Sequence, residues 1–325
     1  MASHLASSSS SATGPAHQHS DQSCPSSGMP EEAFVPSVDL PPSSLENQMV
    51  EKIHLPQAIE EYSEHIFKRL FAVEEESPDS QRKRHPQSEV KEKMRAILVD
   101  WLVEVHNKFK LMAETLYLTV DILDRYLAKA PVERQKLQQV GVTCLFIASK
   151  YEEIHPPEIR DLVYITDHSS SRNDILDTEI AILNTLNFDI SGPTIYHYVA
   201  YYAHLAYPYP QSMWPQEQLK AFNLACYTLE MCLLDSRTLH KHPFSKLAAA
   251  ALFMSKKILR VSPSWPPPLI ARTPYCPQNL KACAKELVPL VTSHGQNLID
   301  PKLKSVKQKY ATEDKMELSS IYFHM

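Results

Sequence analysis

Apolar residues recur at three- and four-residue spacing along most of this chain, the signature of helices with one buried face. Such runs cover about 92–110, 113–129, 132–153, 157–165 and 172–187. After Gly192-Pro193 the pattern restarts near 194–207, 216–235, 243–260 and 277–293, and the residues beyond 300 read as a polar tail. An earlier helix is predicted from Gln57 to about Glu75, with Ile59, Tyr62, Ile66, Phe67 and Leu70 on one face. Period-two alternation is not sustained anywhere, so the expected fold is all-α.

The two sets of runs look like one unit used twice. Sliding the chain by 106 residues brings Cys144-Leu145-Phe146-Ile147-Ala148-Ser149-Lys150 onto Ala250-Ala251-Leu252-Phe253-Met254-Ser255-Lys256, and Asp124 onto Glu230. The same apolar helix with the same Ser-Lys ending, at equal depth in each half, indicates duplicated five-helix domains.

Composition narrows the chemistry. The 325 residues contain only five glycines, and these stand alone at Gly14, Gly28, Gly141, Gly192 and Gly295, so no glycine-rich phosphate cradle or nucleophile elbow can be assembled. Cysteines at 24, 144, 226, 232, 276 and 283 form no C-x-x-C pair; Cys144 and Cys226 read as small core residues, and no zinc cluster is expected. The histidines are scattered, with no H-E-x-x-H, so no metal, cofactor or catalytic constellation is expected. A net charge of −5 argues against a general nucleic-acid role. The long uncharged stretch from Ile190 to Gln216 is broken by Gly192, Pro193, Pro208, Pro210 and Pro215, which argues against a membrane span.

Residues 1–55 are Ser/Pro-rich, lack Lys and Arg before Lys52, and read as a disordered tail. Residues 77–89, with two prolines and Arg82-Lys83-Arg84, read as a linker. The resulting organisation is a tail (1–55), an N-terminal helix and linker (56–91), two helical domains (92–190 and 191–310) and a C-terminal tail (311–325).

Charges placed on apolar stripes are the most informative positions. Arg95 falls in an apolar sector of helix 92–110, near Leu102 and His106, and Asp124 follows Leu116, Val120 and Leu123 on the inward stripe of the next helix. A buried Arg95–Asp124 pair resolves both conflicts. Glu179 sits among Ile175, Leu176, Ile180, Leu183 and Leu186, and Lys150 ends the helix that opens at Leu137. These two either snorkel or pair with each other, or lie at an edge awaiting a partner's hydrogen-bonding groups. Helix 92–110 is apolar on nearly two faces: it is either central and covered on both sides, or it keeps one stripe open for a peptide. Glu152-Glu153 reads most simply as a solvated helix end.

The segment Met94-Arg95-Ala96-Ile97-Leu98-Val99-Asp100-Trp101-Leu102-Val103-Glu104-Val105 resembles the opening helix of a cyclin box. Val140-Gly141-Val142-Thr143, Phe146-Ile147-Ala148-Ser149-Lys150-Tyr151-Glu152-Glu153 and Pro156-Pro157-Glu158-Ile159 extend the likeness, which runs from about Gln57 to Ile321. It is nearest to mitotic B-type cyclins, with A-type second. The resemblance implies two tandem five-helix cyclin folds and a heterodimer with a cyclin-dependent protein kinase. In that complex the chain repositions the kinase's glutamate-bearing helix and activation loop and performs no chemistry itself. By the same resemblance Lys150 and Glu179 hydrogen-bond the kinase, Tyr151 and Phe188 are apolar neighbours in that contact, and the first helix touches it through Tyr62, Ile66, Phe67 and Leu70. Met94, Ile97, Leu98, Trp101, Glu104 and Gln138 match a patch that receives Arg-x-Leu peptides of substrates and inhibitors, Glu104 meeting the arginine. Gln139 stands where the family usually has leucine, which is expected to make that groove more polar.

The likeness to mitotic cyclins further implies work in G2/M, in nucleus and cytoplasm. The degradation signals of such cyclins are not apparent, since the tail has no Arg-x-x-Leu and no Lys-Glu-Asn; the Arg-x-x-Leu strings are Arg95–Leu98 and Arg134–Leu137, within expected helices. Ser77-Pro78, Ser262-Pro263 and Thr273-Pro274 are candidate sites for proline-directed phosphorylation. Two other readings share the fold: a peptide-binding scaffold that activates no kinase, and a transcription factor gripping DNA. The second requires a zinc ribbon and a basic face that the sequence does not supply.

Overall fold

The computed structural model describes residues 60–76, 89–291, 300 and 302–318. The tail expected over 1–55, most of the 77–89 linker and the last seven residues lie outside them, as do Gln57 and Ile59 of the first expected helix. The described elements are helical: α1 Glu60–Glu76, α2 Glu92–Lys108, α3 Ala113–Lys129, α4 Leu137–Glu152, α5 Ile159–Ile165, α6 Arg172–Thr185, α7 Ile195–Ala206, α8 Gln216–Leu234, α9 Ser236–Leu239, α10 Phe244–Ile258, α11 Pro267–Arg272, α12 Pro277–Val291 and α13 Ser305–Lys309.

In the first half α4 is the hub, packed on α2, α3, α5 and α6; in the second half α10 plays that part against α7, α8 and α12. The 106-residue offset carries through the helices. Adding 106 to the bounds of α4 gives 243–258 against the observed Phe244–Ile258, and adding it to those of α6 gives 278–291 against Pro277–Val291. Both hubs are built from small and branched apolar residues. Val142, Cys144, Leu145 and Ala148 are buried in α4, and the alanine run Ala248–Ala251 in α10, so neighbouring helices approach closely.

The α2–α4 crossing depends on Gly141. A Cβ there would meet the Leu98 side chain at 2.8 Å, and Leu98 is fully buried and has nowhere to retreat. Gly141→Ala is expected to cost roughly 1–3 kcal/mol, read as a lowered denaturant midpoint with an unchanged slope.

The two halves are joined by buried polar contacts. Arg95 lies on α2 with no exposed surface and grips Asp124 of α3 through Nε and Nη2, both at 2.6 Å. Its Nη1 donates at 2.6 Å to the carbonyl of Leu233 at the end of α8, and His240 Nε2 lies 3.4 Å from Asp124 Oδ2. At the position one repeat later, Glu230 is equally buried but neutralised from the opposite end of the chain, by Lys309 Nζ at 2.8 Å and the Tyr310 hydroxyl at 2.9 Å.

That contact corrects the reading of a polar tail beyond 300. Leu303, Val306, Tyr310 and Leu318 are buried, and α13 lies against α2 and α8. Its first turn is capped by Asp100, which accepts from the Ser305 amide at 3.0 Å and the Ser305 hydroxyl at 2.9 Å. The first helix is similarly anchored to the second half. Phe67 stacks on Tyr201 of α7 with ring centroids 3.3 Å apart, and the Tyr198 hydroxyl donates to the Leu70 carbonyl at 3.0 Å.

Candidate functional site

The three groups of candidate residues meet different surroundings in the folded chain. Lys150 occupies the last turn of α4, where a cation is favoured by the helix dipole, and Glu179 lies midway along α6, one helix over. The α6 start is fixed by a reciprocal cap in which Ser171 Oγ accepts from the Asp174 amide and Asp174 Oδ2 from the Ser171 amide. With both helices thus set, Lys150 Nζ donates to Glu179 Oε1 and also sits 4.1 Å from the centre of the Phe146 ring. The Lys150 side chain remains 40% exposed and that of Glu179 11%. The ammonium group has further hydrogens to donate, and among the described residues Glu179 Oε2 has no hydrogen bond. A donor and an acceptor are therefore held side by side at an edge.

On and just after the same two helices, large apolar side chains are exposed: Tyr151, Ile154, Ile180 and Phe188. Phe188 stands at φ 56° directly after Asn187 at φ 53°, two consecutive left-handed residues that end α6. The Phe188 amide closes the helix on the Leu183 carbonyl at 2.8 Å, leaving its ring in solvent. Left-handed backbone at a bulky residue costs of order 1–3 kcal/mol, which the closed helix end must offset. Ile154 and Ile180 are not among the site residues expected from the sequence. Ile154 could have been found, because it precedes His155-Pro156-Pro157, where no helix can continue to bury it.

The α2 stripe is a shallower feature. Leu98 and Trp101 are buried, while Met94, Ile97, Glu104 and Gln138 are half-buried. On the other side Val99, Leu102 and Val103 are fully enclosed. Both readings of this helix thus hold in part: it is central, and one edge of it meets solvent. Gln139 departs from expectation. Its Nε2 donates to Thr178 Oγ1 at 2.6 Å and to the Asp174 carbonyl at 3.1 Å, so its polarity is spent on α6 and not in the groove. A neighbouring helix position points about 100° away, and that rotation separates Gln139 from Gln138.

On α1, Tyr62 is exposed, Ile66 and Leu70 are half-buried, and Phe67 is buried against Tyr201. Phe67 is therefore an anchor for the helix, not an open contact. Glu153 also differs from the reading as a solvated helix end: it accepts from the Met112 amide at 2.7 Å and from the Thr115 hydroxyl, capping α3 from the end of α4. Nearby Glu114 is pushed up to about 7, chiefly by burial and also by Glu152 and Glu153. Lys256, which the repeat aligns with Lys150, is buried, and burial lowers its pKa; the exposed pair has no copy in the second half. Among the described residues no group of three or more His, Cys, Asp or Glu is arranged to hold a metal ion, and no helix is long and apolar enough to cross a membrane.

Comparison with known proteins places this architecture. Residues 65–191 match the family model of the cyclin N-terminal domain and residues 193–323 that of the cyclin C-terminal domain. The chain is 38% identical over 267 residues to a G2/mitotic-specific cyclin-B2 of Oryzias luzonensis, covering 82% of this chain and 65% of that protein. It is likewise 38% identical over 266 residues to a G2/mitotic-specific cyclin-B of Spisula solidissima, covering 82% of this chain and 58% of the relative. This chain thus spans somewhat less than two thirds of those relatives' length. Among solved structures, a viral cyclin from herpesvirus saimiri superposes with a TM-score of 0.60 at 21% identity, covering 70% of this chain and 97% of that one. The chain belongs to the cyclin family and is related to its B-type mitotic members.

Proposed function

We propose that this chain is the regulatory subunit of a cyclin-dependent Ser/Thr protein kinase, forming a heterodimer in which the kinase supplies all the chemistry. The observation that carries this reading is the Lys150–Glu179 pair, open to water at Lys150, on two helices that also carry, on or just after them, the exposed apolar residues Tyr151, Ile154, Ile180 and Phe188. Paired, the two charges satisfy each other in the free chain; apposed to a kinase helix, the same donor and acceptor would fix register while these apolar side chains are buried. Tyr62 at the outer face of α1 extends the contact. The two boxes, 92–190 and 191–310, serve as a rigid body against which the kinase rearranges. The relation to G2/mitotic cyclins supports a role in G2/M progression in nucleus and cytoplasm.

The test is direct. Mixed with an inactive monomeric cyclin-dependent kinase, the chain is expected to co-elute in size exclusion as a one-to-one complex. Separate elution of two folded proteins would count against the proposal.

We assign substrate recruitment to the α2 edge, where Glu104 would receive the arginine of an Arg-x-Leu peptide beside Met94, Ile97 and Gln138, over a floor of Leu98 and Trp101. Trp101→Ala is a poor probe of this, because Trp101 is buried and its loss would cost about 3–5 kcal/mol of stability. Glu104→Ala is the cleaner variant. It is expected to raise KM about tenfold for an Arg-x-Leu-bearing substrate, as one charge-assisted contact is removed, and to leave a short Ser-Pro peptide unaffected. Equal loss on both substrates would remove the assignment.

A further inference from the structure

Between α1 and the end of α11 lies a cleft of about 300 Å³, lined by Glu64, Phe67, Lys68, Phe71, Tyr201, Arg272, Thr273 and Pro274 among others. Its two cations are weakly committed. Among the described residues Lys68 pairs only with Glu64, one turn away at 2.7 Å and on the surface, and no hydrogen bond or ion pair holds the exposed Arg272 guanidinium. The carboxyl of Glu64 is held below its ordinary range mainly by Lys68, with a smaller contribution from Arg272, which locates both cations in one electrostatic neighbourhood. Thr273 stands on the same wall. It ends α11 in extended backbone at φ −130° and ψ 156°, followed by a trans bond to Pro274. An extended Thr-Pro is the conformation that a proline-directed kinase must grip.

We propose that Thr273 is a phosphorylation site whose phosphate is received by Arg272 and Lys68 in this cleft, tying α1 to the second half of the molecule. In the reaction the Thr273 oxygen bonds to the γ-phosphorus of ATP, the bond from that phosphorus to the β-phosphate bridging oxygen breaks, ADP leaves, and the hydroxyl proton passes to the modifying kinase's base. The hydroxyl is held by modest contacts, donating to the Leu269 carbonyl at 2.6 Å and accepting from the Tyr275 amide at 3.3 Å. Releasing it requires only that α11 fray. That helix is six residues long, and Leu269 is its one buried side chain. The chain after it stays pinned, because Trp265 Nε1 donates to the Tyr275 carbonyl at 3.0 Å and the Tyr275 and Ser245 hydroxyls lie 2.6 Å apart. The new dianion then meets two cations against one carboxylate, and Lys68 exchanges Glu64 for the stronger acceptor.

The chain contains three Ser/Thr-Pro pairs, so a Ser77→Ala/Ser262→Ala background isolates Thr273. The folded full chain in that background is incubated with ATP and a proline-directed kinase, the modified residue is mapped by mass spectrometry, and amide hydrogen exchange is followed over α1. The expected result is phosphate on Thr273, none in Thr273→Val, and exchange in α1 slowed about tenfold by the modification. Arg272→Gln/Lys68→Gln, at two exposed positions, should accept phosphate equally well yet show no such slowing. Absence of phosphate from the folded chain would overturn the site. Phosphate on Thr273 that leaves α1 exchange unchanged or faster, or slowing that survives Arg272→Gln/Lys68→Gln, would overturn the cleft as its receiver.

Discussion

Asp124→Ala is expected to destabilise the chain by about 3–5 kcal/mol, enough to leave a marginally stable protein largely unfolded at 37 °C. The cost comes from what remains. Arg95 has no exposed surface, and without Asp124 its guanidinium would keep only the Leu233 carbonyl as an acceptor. The damage would not be confined to one half, because Arg95 and His240 draw α2, α3, the end of α8 and the turn after it onto a single carboxylate. Replacing both charges with apolar residues of similar volume, as in Arg95→Met/Asp124→Leu, should cost less than Asp124→Ala alone, since no stranded charge is left. The pH dependence has a definite sign. Burial alone would raise the Asp124 carboxyl, but Arg95 and then His240 outweigh it and hold the group well below the usual carboxylate range. A depressed carboxyl contributes fully above its unfolded value of about 3.9 and loses its contribution as pH falls towards the folded value. The gap between wild type and Asp124→Ala should therefore be present at neutral pH and close in strong acid, as urea titrations at each pH would reveal.

Lys150→Ala/Glu179→Ala is expected to weaken kinase association by about 30-fold or more while leaving the melting transition close to wild type. In the free chain only the Lys150 side of the pair is open to water, and removing both charges together strands neither. Buried against a partner, the same two groups become hydrogen-bonded charges whose truncation costs about 2–5 kcal/mol. The inverted pair Lys150→Glu/Glu179→Lys sharpens the distinction, because it restores an intramolecular salt bridge but exchanges the donor and acceptor that a kinase would meet. It should fold and still fail to bind. Wild-type binding by the inverted variant would show that the pair only joins α4 to α6.

Helices with a strong apolar period are legible in the sequence alone. The run predicted at 113–129 is α3 as observed, and α8 and α10 differ from expectation by one or two residues at their ends. The short elements are not legible in this way. Helix α11 opens in a proline triplet that reads as loop, although proline is well suited to a first helical turn. The segment 302–318 has too few apolar residues for a period, and its anchors, Asp100 for Ser305 and Glu230 for Tyr310, lie 205 and 80 residues away. Nothing local encodes such contacts.

The site divides along the same line. Arg95, Asp124 and Glu179 stand out because a charge on an apolar stripe demands a partner, and the fold brings Arg95 to Asp124 and Lys150 to Glu179. How much of a stripe stays open depends on neighbours that periodicity does not name. Tyr201 encloses Phe67, α6 takes the Gln139 amide, and the left-handed end of α6 turns Phe188 outward. The resemblance to cyclin boxes implies roles for these positions, but their exposure is set by the packed helices.

Activation tests the central claim most directly. An inactive monomeric cyclin-dependent kinase would be titrated with the purified chain while phosphorylation of a Ser-Pro peptide is followed. The account predicts a rise of several orders of magnitude that saturates at one chain per kinase and is absent with Lys150→Ala/Glu179→Ala. A chain that is folded by its melting transition yet leaves every member of a representative kinase panel inactive would contradict it.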